Sequence, residues 1–180
     1  TADGEEVPED APEDVRAQAI LKKYPDQGRV ILLQTRSSLT GIERSTATVL
    51  TNLQNDKDYV LNDTRMQASL SVGRGLARDI DDLQREVADY IDLAEEQIRL
   101  ADTYRDEAYE FIAAAEEAIE AEDFSGARGF LTSASNAALE SISYRQDEAF
   151  ASEIDNRVAT LTDDINEAGR RGGARPVAVA

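Results

Sequence analysis

The chain has 180 residues, with 37 acidic and 19 basic residues and no Cys, His or Trp. Without Cys and His there can be no disulfide, no thiolate or imidazole metal site, no Cys nucleophile and no Ser-His-Asp triad. A net charge of −18 disfavours binding to nucleic-acid phosphates or to anionic membranes. We therefore expect a non-enzymatic protein with no cofactor and no metal, whose partners are proteins and not nucleic acids.

The basic residues are unevenly divided, with 16 Arg and only three Lys. Abundant acids with scarce Lys are typical of a protein adapted to molar salt, where the Debye length falls to about 3 Å and self-repulsion is screened. An acidic protein from a GC-rich genome is the alternative explanation. Ile, Leu, Val and Phe make up 40 of the 180 residues, which favours thin helix-on-helix seams over a large core.

Both ends of the chain differ in composition from the middle. Residues 1–14 carry seven acids, no bases and two prolines, which predicts an acidic flexible tail. Residues 170–180 are basic and then small and apolar. They fit either a membrane-proximal segment or an ordinary C-terminal tail. No run of about 18 apolar residues occurs, so we expect no direct membrane insertion within this chain.

Helical periodicity runs through residues 15–169 and predicts an elongated helical bundle. Pro and Gly residues at 25–28 and a polar turn at 55–58 separate its first helices. Gly73 and Gly75 then predict a hinge, a kink or a close helix contact, because each Gly lowers helix propensity by about 1 kcal/mol. The predicted shorter helices are 15–24, 29–54 and 59–72.

The clearest pattern is a pair of long helices, 76–121 and 124–168, joined at a tip over residues 122–125 with Asp123 as an N-cap. A connection this short makes the two helices antiparallel neighbours. The half near the tip is rich in Ala, whereas the other half has enough Leu, Ile and Val to accept helix 29–54. The apolar positions of helix 29–54 that predict this contact are Leu32, Leu39, Ile42, Thr46, Val49 and Leu53.

The predicted fold is therefore all-α. It is an elongated antiparallel helical bundle or coiled-coil hairpin, with three to four helices at one end and two long helices at the other. Such a fold positions residues by register along the helices, so candidate sites can be sought where the apolar series of facing helices is interrupted.

Two candidate sites follow from the sequence. Reflection about the tip places Asp102 and Arg105 near Tyr144 and Arg145, where the apolar series of both long helices weakens. A polar layer of this kind fixes register or, alternatively, binds a small charged ligand. Asn62 begins an N-glycosylation triplet, which matters only if the protein is displayed outside the cell.

These observations favour a structural or interaction protein, an extended helical module of a salt-adapted cell surface, virus particle or other multiprotein assembly. Self-association is one expected mode of interaction. The alternatives are a sensory or ligand-binding helical ectodomain of a membrane protein and a cytoplasmic coiled-coil adaptor. We expect an extracytoplasmic or virion location ahead of a cytoplasmic one.

Overall fold

The computed structural model describes residues 11–55 and 63–172. Helices cover 93% of them and no strand occurs among them, so the predicted all-α helical bundle is confirmed. The described residues divide into two compact units, with residues 11–21, 25–55 and 63–95 in unit 1 and residues 22–24 and 96–172 in unit 2. The helices are α1 (Glu13–Lys23), α2 (Pro25–Asn55), α3 (Thr64–Glu120), α4 (Phe124–Tyr144) and α5 (Glu148–Gly172).

In unit 1, α2 and the first part of α3 form an antiparallel pair. The guanidinium of Arg29 donates to Glu95 at 2.9 Å, and the amide of Gln84 donates to Glu43 at 2.9 Å. The partners on α3 move backwards as those on α2 advance, which is the register of a helical hairpin. The buried apolar side chains of this pair are almost all on α3: Leu70, Ile80, Val87, Ile91 and Ala94.

Helix α1 and the start of α2 differ from the prediction. We expected Pro25 to end one helix and the next to begin near Arg29, but Pro25 is the first residue of α2 and is buried. Proline is favoured at the first helical position, because the amide proton that it lacks would have no partner there. Leu21 of α1 is buried against Gly28, where no side chain stands in its way.

The predicted tails also need correction at their inner edges. Helix α1 begins at Glu13 instead of at residue 15, because acidic side chains in a first turn interact favourably with the helix dipole. At the other end, α5 continues to Gly172, beyond the predicted boundary at residue 169. Residues 1–10 and 173–180 lie outside the described residues.

Helix α3 passes without a break through Gly73 and Gly75, so the predicted end of a helix at residue 72 is wrong. Two glycines cost about 2 kcal/mol together, which packing along the rest of this long helix outweighs. Gly73 has a local role, because a Cβ atom there would lie 2.7 Å from Cδ2 of Leu50. Of the hinge, the kink and the close helix contact that the two glycines predict, the structure therefore shows the close contact, at Gly73.

Unit 2 contains three helices: the second part of α3, then α4 and α5. Ser141 of α4 donates to the carbonyl of Ala101 at 2.8 Å. On α5, Arg157 donates to Glu116 of α3 at 2.8 Å. Side chains from all three helices form one core: Ala108, Ile112, Ala115, Ala127, Leu131, Ala134, Ala137, Ala138, Phe150, Ile154 and Ile165.

The connection between α3 and α4 is short, and its backbone amides donate hydrogen bonds to carbonyls at the end of α3. Glu122 has a φ of 61°, and its amide donates to Ile119, while the amide of Asp123 donates to Ala118. These two bonds close the end of α3 as a Schellman motif. Asp123 then caps α4, because its side chain accepts from the amide of Gly126 at 2.9 Å. The prediction of Asp123 as an N-cap is confirmed.

The second long helix, expected to run over 124–168, is interrupted in the structure. Helix α4 ends at Tyr144 and α5 begins at Glu148, so the chain reverses direction within three residues. The expectation that the Ala-rich half of the hairpin thins to two helices is wrong for this reason, since α5 lies over the same core. No Gly or Pro marks the reversal, and the sequence therefore gave no strong helix-breaking signal there.

We predict that Glu122→Gly stabilises the protein by about 1 kcal/mol, because glycine adopts a positive φ without the steric cost borne by other residues. Chemical unfolding at constant molar salt measures the change. Glu120→Gly, two residues earlier at the last residue of α3, serves as the control and should destabilise by up to about 1 kcal/mol. A loss of stability for Glu122→Gly would contradict this description of the turn.

A second prediction compares two glycines on one helix. Gly75→Ala should stabilise α3 by about 1 kcal/mol, because nothing beyond the backbone of α3 itself lies within 4 Å of the added methyl group. Gly73→Ala should be about 1 kcal/mol less stabilising than Gly75→Ala, because Leu50 must move aside to make room for the methyl group. Thermal unfolding of both variants checks the difference, and equal stabilisation would show that the close approach of Leu50 is unimportant.

Candidate functional site: a polar layer in unit 2

The structure brings Asp102 and Arg145 together, as reflection about the tip anticipates. Nη2 of Arg145 donates to Oδ1 of Asp102 at 2.7 Å. The Arg145 side chain is only 17% exposed, whereas Asp102 is about half exposed. Arg145 is also the C-cap of α4, with an extended backbone whose amide donates to Ser141. One residue thus ends a helix and ties that end to α3.

Arg105 occupies the other half of the layer. Its Nη1 donates to Oδ2 of Asp147 at 3.1 Å, and its guanidinium carbon lies 4.8 Å from the centre of the Phe150 ring. Burial lowers the pKa of Arg105, but hydrogen bonding and charge at Tyr109 and the carboxylates of Asp147 and Asp102 outweigh it and raise the pKa overall. The guanidinium therefore stays charged while it covers an apolar ring.

Asp147 holds the start of α5. Its Oδ1 accepts from the amide of Phe150 at 2.9 Å, which is the geometry of an N-cap, while its Oδ2 accepts from Arg105. The neighbouring amide of Gln146 donates to the carbonyl of Lys23 at 3.3 Å. Three groups from different parts of unit 2 thus hold the connection between α4 and α5.

Aromatic side chains flank the charged groups. Tyr144 stacks on Tyr104 with the ring centroids 5.8 Å apart and the planes 1° from parallel. Tyr109 packs edge-on against Phe150 at 5.7 Å, and its hydroxyl donates to Glu153 at 3.1 Å. Such ring pairs add stability beyond the area that they bury.

Sequence reasoning found four members of this layer, Asp102, Arg105, Tyr144 and Arg145, and missed Asp147 and Phe150. The available signal was an Asp three residues before a large apolar residue, a spacing that suits an N-cap at the start of a helix. The signal is hard to separate from an uninterrupted helix, because the apolar series weakens after Ile142 but resumes at Ala149 with the same helical spacing.

The polar groups of the layer are paired with one another. Among the described residues, no buried side-chain nitrogen or oxygen lacks a hydrogen-bond partner. Within the same ranges, no group of three or more Asp and Glu side chains is placed to hold a metal ion. The arrangement can fix the register of three helices, since each charge meets a specific opposite charge on another element.

The remaining predicted site residues lie elsewhere. Gly73 and Gly75 are within α3 in unit 1. Asn62 lies outside the described residues. The side chain of Asp63 accepts from the amide of Arg65 at 2.8 Å and so caps α3.

Unit 1 contains an apolar cleft that sequence reasoning did not anticipate. It has a volume of about 260 Å³ and lies between α2 and α3. Ile42 and Val49 were expected to pack inside the bundle, yet they are 49% and 57% exposed, and Leu76 across the cleft is 48% exposed. The lining side chains are Ser45, Thr46, Val49, Leu50, Leu53, Ser69, Gly73 and Leu76.

No family model matches the chain, and neither a curated protein nor a solved structure shows significant similarity to it. None of the described helices is long and apolar enough to cross a bilayer.

Two substitutions of Asp147 separate its two contacts. Asp147→Asn keeps an oxygen for the amide of Phe150 but removes the charge, and should cost less than about 1 kcal/mol because the ion pair is partly exposed. Asp147→Ala also removes the cap and should cost about 1–2 kcal/mol. Urea unfolding measures both values. Equal losses would show that the cap contributes nothing and that the charge alone matters.

Proposed function

We propose that this protein is a non-enzymatic structural and interaction protein, a helical module that joins protein partners in a larger assembly. The observation that carries the proposal is the contrast between the two units. Unit 2 encloses a continuous core and pairs its polar layer internally. Unit 1 leaves large aliphatic side chains of α2 and α3 in solvent, and exposed apolar surface of this extent is typical of a protein interface.

The chemistry of the polar layer supports a role other than catalysis. Arg105, Arg145, Asp102 and Asp147 are engaged in mutual ion pairs. General acid-base catalysis needs a group of suitable pKa aimed at a substrate, and here the carboxylates already accept from guanidinium groups. The sequence also contains no His or Cys that could act as a nucleophile or a proton carrier.

We further propose that the assembly operates in molar salt, at a cell surface or in a virus particle. The excess of acids is the support for this part of the proposal. Residues 79–172 contain 25 acids and eight bases, so this part of the chain would repel itself without screening by salt. High salt shortens the range of that repulsion to about 3 Å.

Exchange into dilute buffer should therefore reduce the helix content, which far-UV circular dichroism measures against NaCl concentration. The triple variant Glu117→Gln/Asp163→Asn/Asp164→Asn alters exposed acids only and should move the folding midpoint to lower salt. Complete folding of the natural chain without added salt would contradict adaptation to molar salt.

The interaction role can be tested with a photo-crosslinking amino acid at position 42 of the full chain. Thr51 is an exposed position on the opposite side of the same helix and serves as the control. In extracts of the source cells at molar salt, we expect protein adducts from position 42 that exceed those from position 51. Equal or absent adducts at the two positions would refute the proposal.

A further inference from the structure

Helix α2 carries two parallel stripes with the seven-residue spacing of a coiled coil. One stripe contains Leu32, Leu39, Leu50 and Leu53, which are half-buried along α3. The other begins one residue earlier, and all of its side chains are exposed. A helix with two such stripes belongs to a bundle of more than two helices, because each stripe needs its own neighbour. The exposed stripe is Ile31, Thr35, Ser38, Ile42, Ser45, Val49 and Asn52.

The exposed stripe contains no charged residue, although 31% of the chain is charged. At 100° per residue, Asp26, Arg29, Arg36, Glu43 and Arg44 all lie on the other half of α2. Depletion of charge is the feature that separates the centre of an interface from ordinary surface. Ser38, Gly41 and Ser45 are small, and apart from the backbone of α2 itself nothing lies within 4 Å of the position that a Cβ of Gly41 would occupy. A second helix can therefore approach closely.

Helix α3 extends this face across the cleft. The contacts of Glu43 with Gln84 and of Leu50 with Gly73 fix the register of the two helices. In that register Ile42 lies level with Leu83, and Val49 lies level with Leu76. All four side chains are about half exposed. They form two apolar layers on one side of the hairpin.

We infer that a second copy of this chain covers this face, with the two α2 stripes packed antiparallel about a two-fold axis near Ile42. The two hairpins then make a four-helix arrangement, a common solution for pairs of helical hairpins. Reflection about Ile42 places Thr35 opposite Val49 of the other copy. The same reflection brings Ser38 within one residue, about 1.5 Å along the axis, of Ser45 of the other copy. The inference rests on the proposed role in assembly and specifies its partner.

Charge favours this face as the place where two copies meet. A chain with a net charge of −18 repels its own copies over most of its surface. Residues 29–78 are the exception, with seven bases and four acids. An uncharged stripe within a weakly basic stretch lets two copies approach without opposing carboxylates. The same lack of charge gives a strongly charged foreign helix nothing to pair with.

The available area suits a stable dimer. Helix α2 has 31 residues and is therefore about 45 Å long, and two helices side by side are roughly 20 Å wide. The hairpin can thus bury about 900 Å² per copy, close to the roughly 800 Å² per partner of stable complexes. The face is large enough without help from other parts of the chain.

Light scattering of the full chain in molar salt tests the inference, and we expect twice the monomer mass of 19.7 kDa. Ile42→Glu/Val49→Glu should weaken the dimer at least about a hundredfold, because burying unpaired carboxylates is costly. Thr51→Glu adds an acid to the other side of α2 and should leave the dimer intact. Circular dichroism verifies that each variant is folded. A monomeric natural chain, or equal effects of the two kinds of variant, would overturn the inference.

Cysteine crosslinking tests the antiparallel geometry independently, since the natural chain contains no Cys. A mixture of Ser38→Cys and Ser45→Cys chains should form a mixed disulfide dimer faster than either variant alone. Faster homodimers would overturn the antiparallel arrangement. If deletion of residues 1–10 is required before any dimer forms, the acidic segment of the same chain is the occupant and the inference fails. Adducts of position 42 with a different protein, together with a monomeric mass, would overturn the second copy but leave the proposed function standing.

Discussion

The reversal of the chain between α4 and α5 in unit 2 is organised around the carboxylate of Asp147. One of its oxygens caps α5 and the other accepts from Arg105, so the same group starts a helix and fastens it to α3. Arg145 does the equivalent for the end of α4 through Asp102. Because the two ion pairs lie on either side of Gln146, the chain can reverse here and return along the core. The third helix then covers Ala-rich surfaces that two helices alone would leave in water.

Alanine explains why that third helix matters. Each Ala buries little area, so a seam of Ala108, Ala115, Ala127 and Ala134 contributes less hydrophobic free energy than a seam of Leu would. Phe150, Ile154 and Ile165 from α5 are fully buried and supply the larger side chains. Small residues let the backbones approach, and the return helix fills the space around them. The polar connection and the small-residue core therefore depend on each other, because the connection returns α5 along the Ala-rich helices.

Unit 1 shows the opposite balance. Its buried side chains lie mostly on α3, while α2 has two faces of similar apolar character and only one of them meets α3. A single neighbouring helix can cover only one of these two faces. Its charge-free second face stands out because acids coat so much of the remaining chain. In molar salt, where electrostatic repulsion is short-ranged, apolar contact between such faces becomes the main determinant of association.

The sequence by itself determined the helical fold, the tip between α3 and α4 and the proximity of Asp102 to Arg145. Each of these depends on local period, on capping at Asp123 or on distance along two helices from one turn, and such information is carried by neighbouring residues. The tertiary structure decided that the chain reverses at Arg145–Asp147, that α3 continues through Gly73, and which stripe of α2 is covered. These outcomes depend on competition between long-range contacts. A helix with one uncovered face and a helix that is interrupted have nearly the same apolar periodicity in the sequence. They differ only in how much apolar area each face buries in the folded chain.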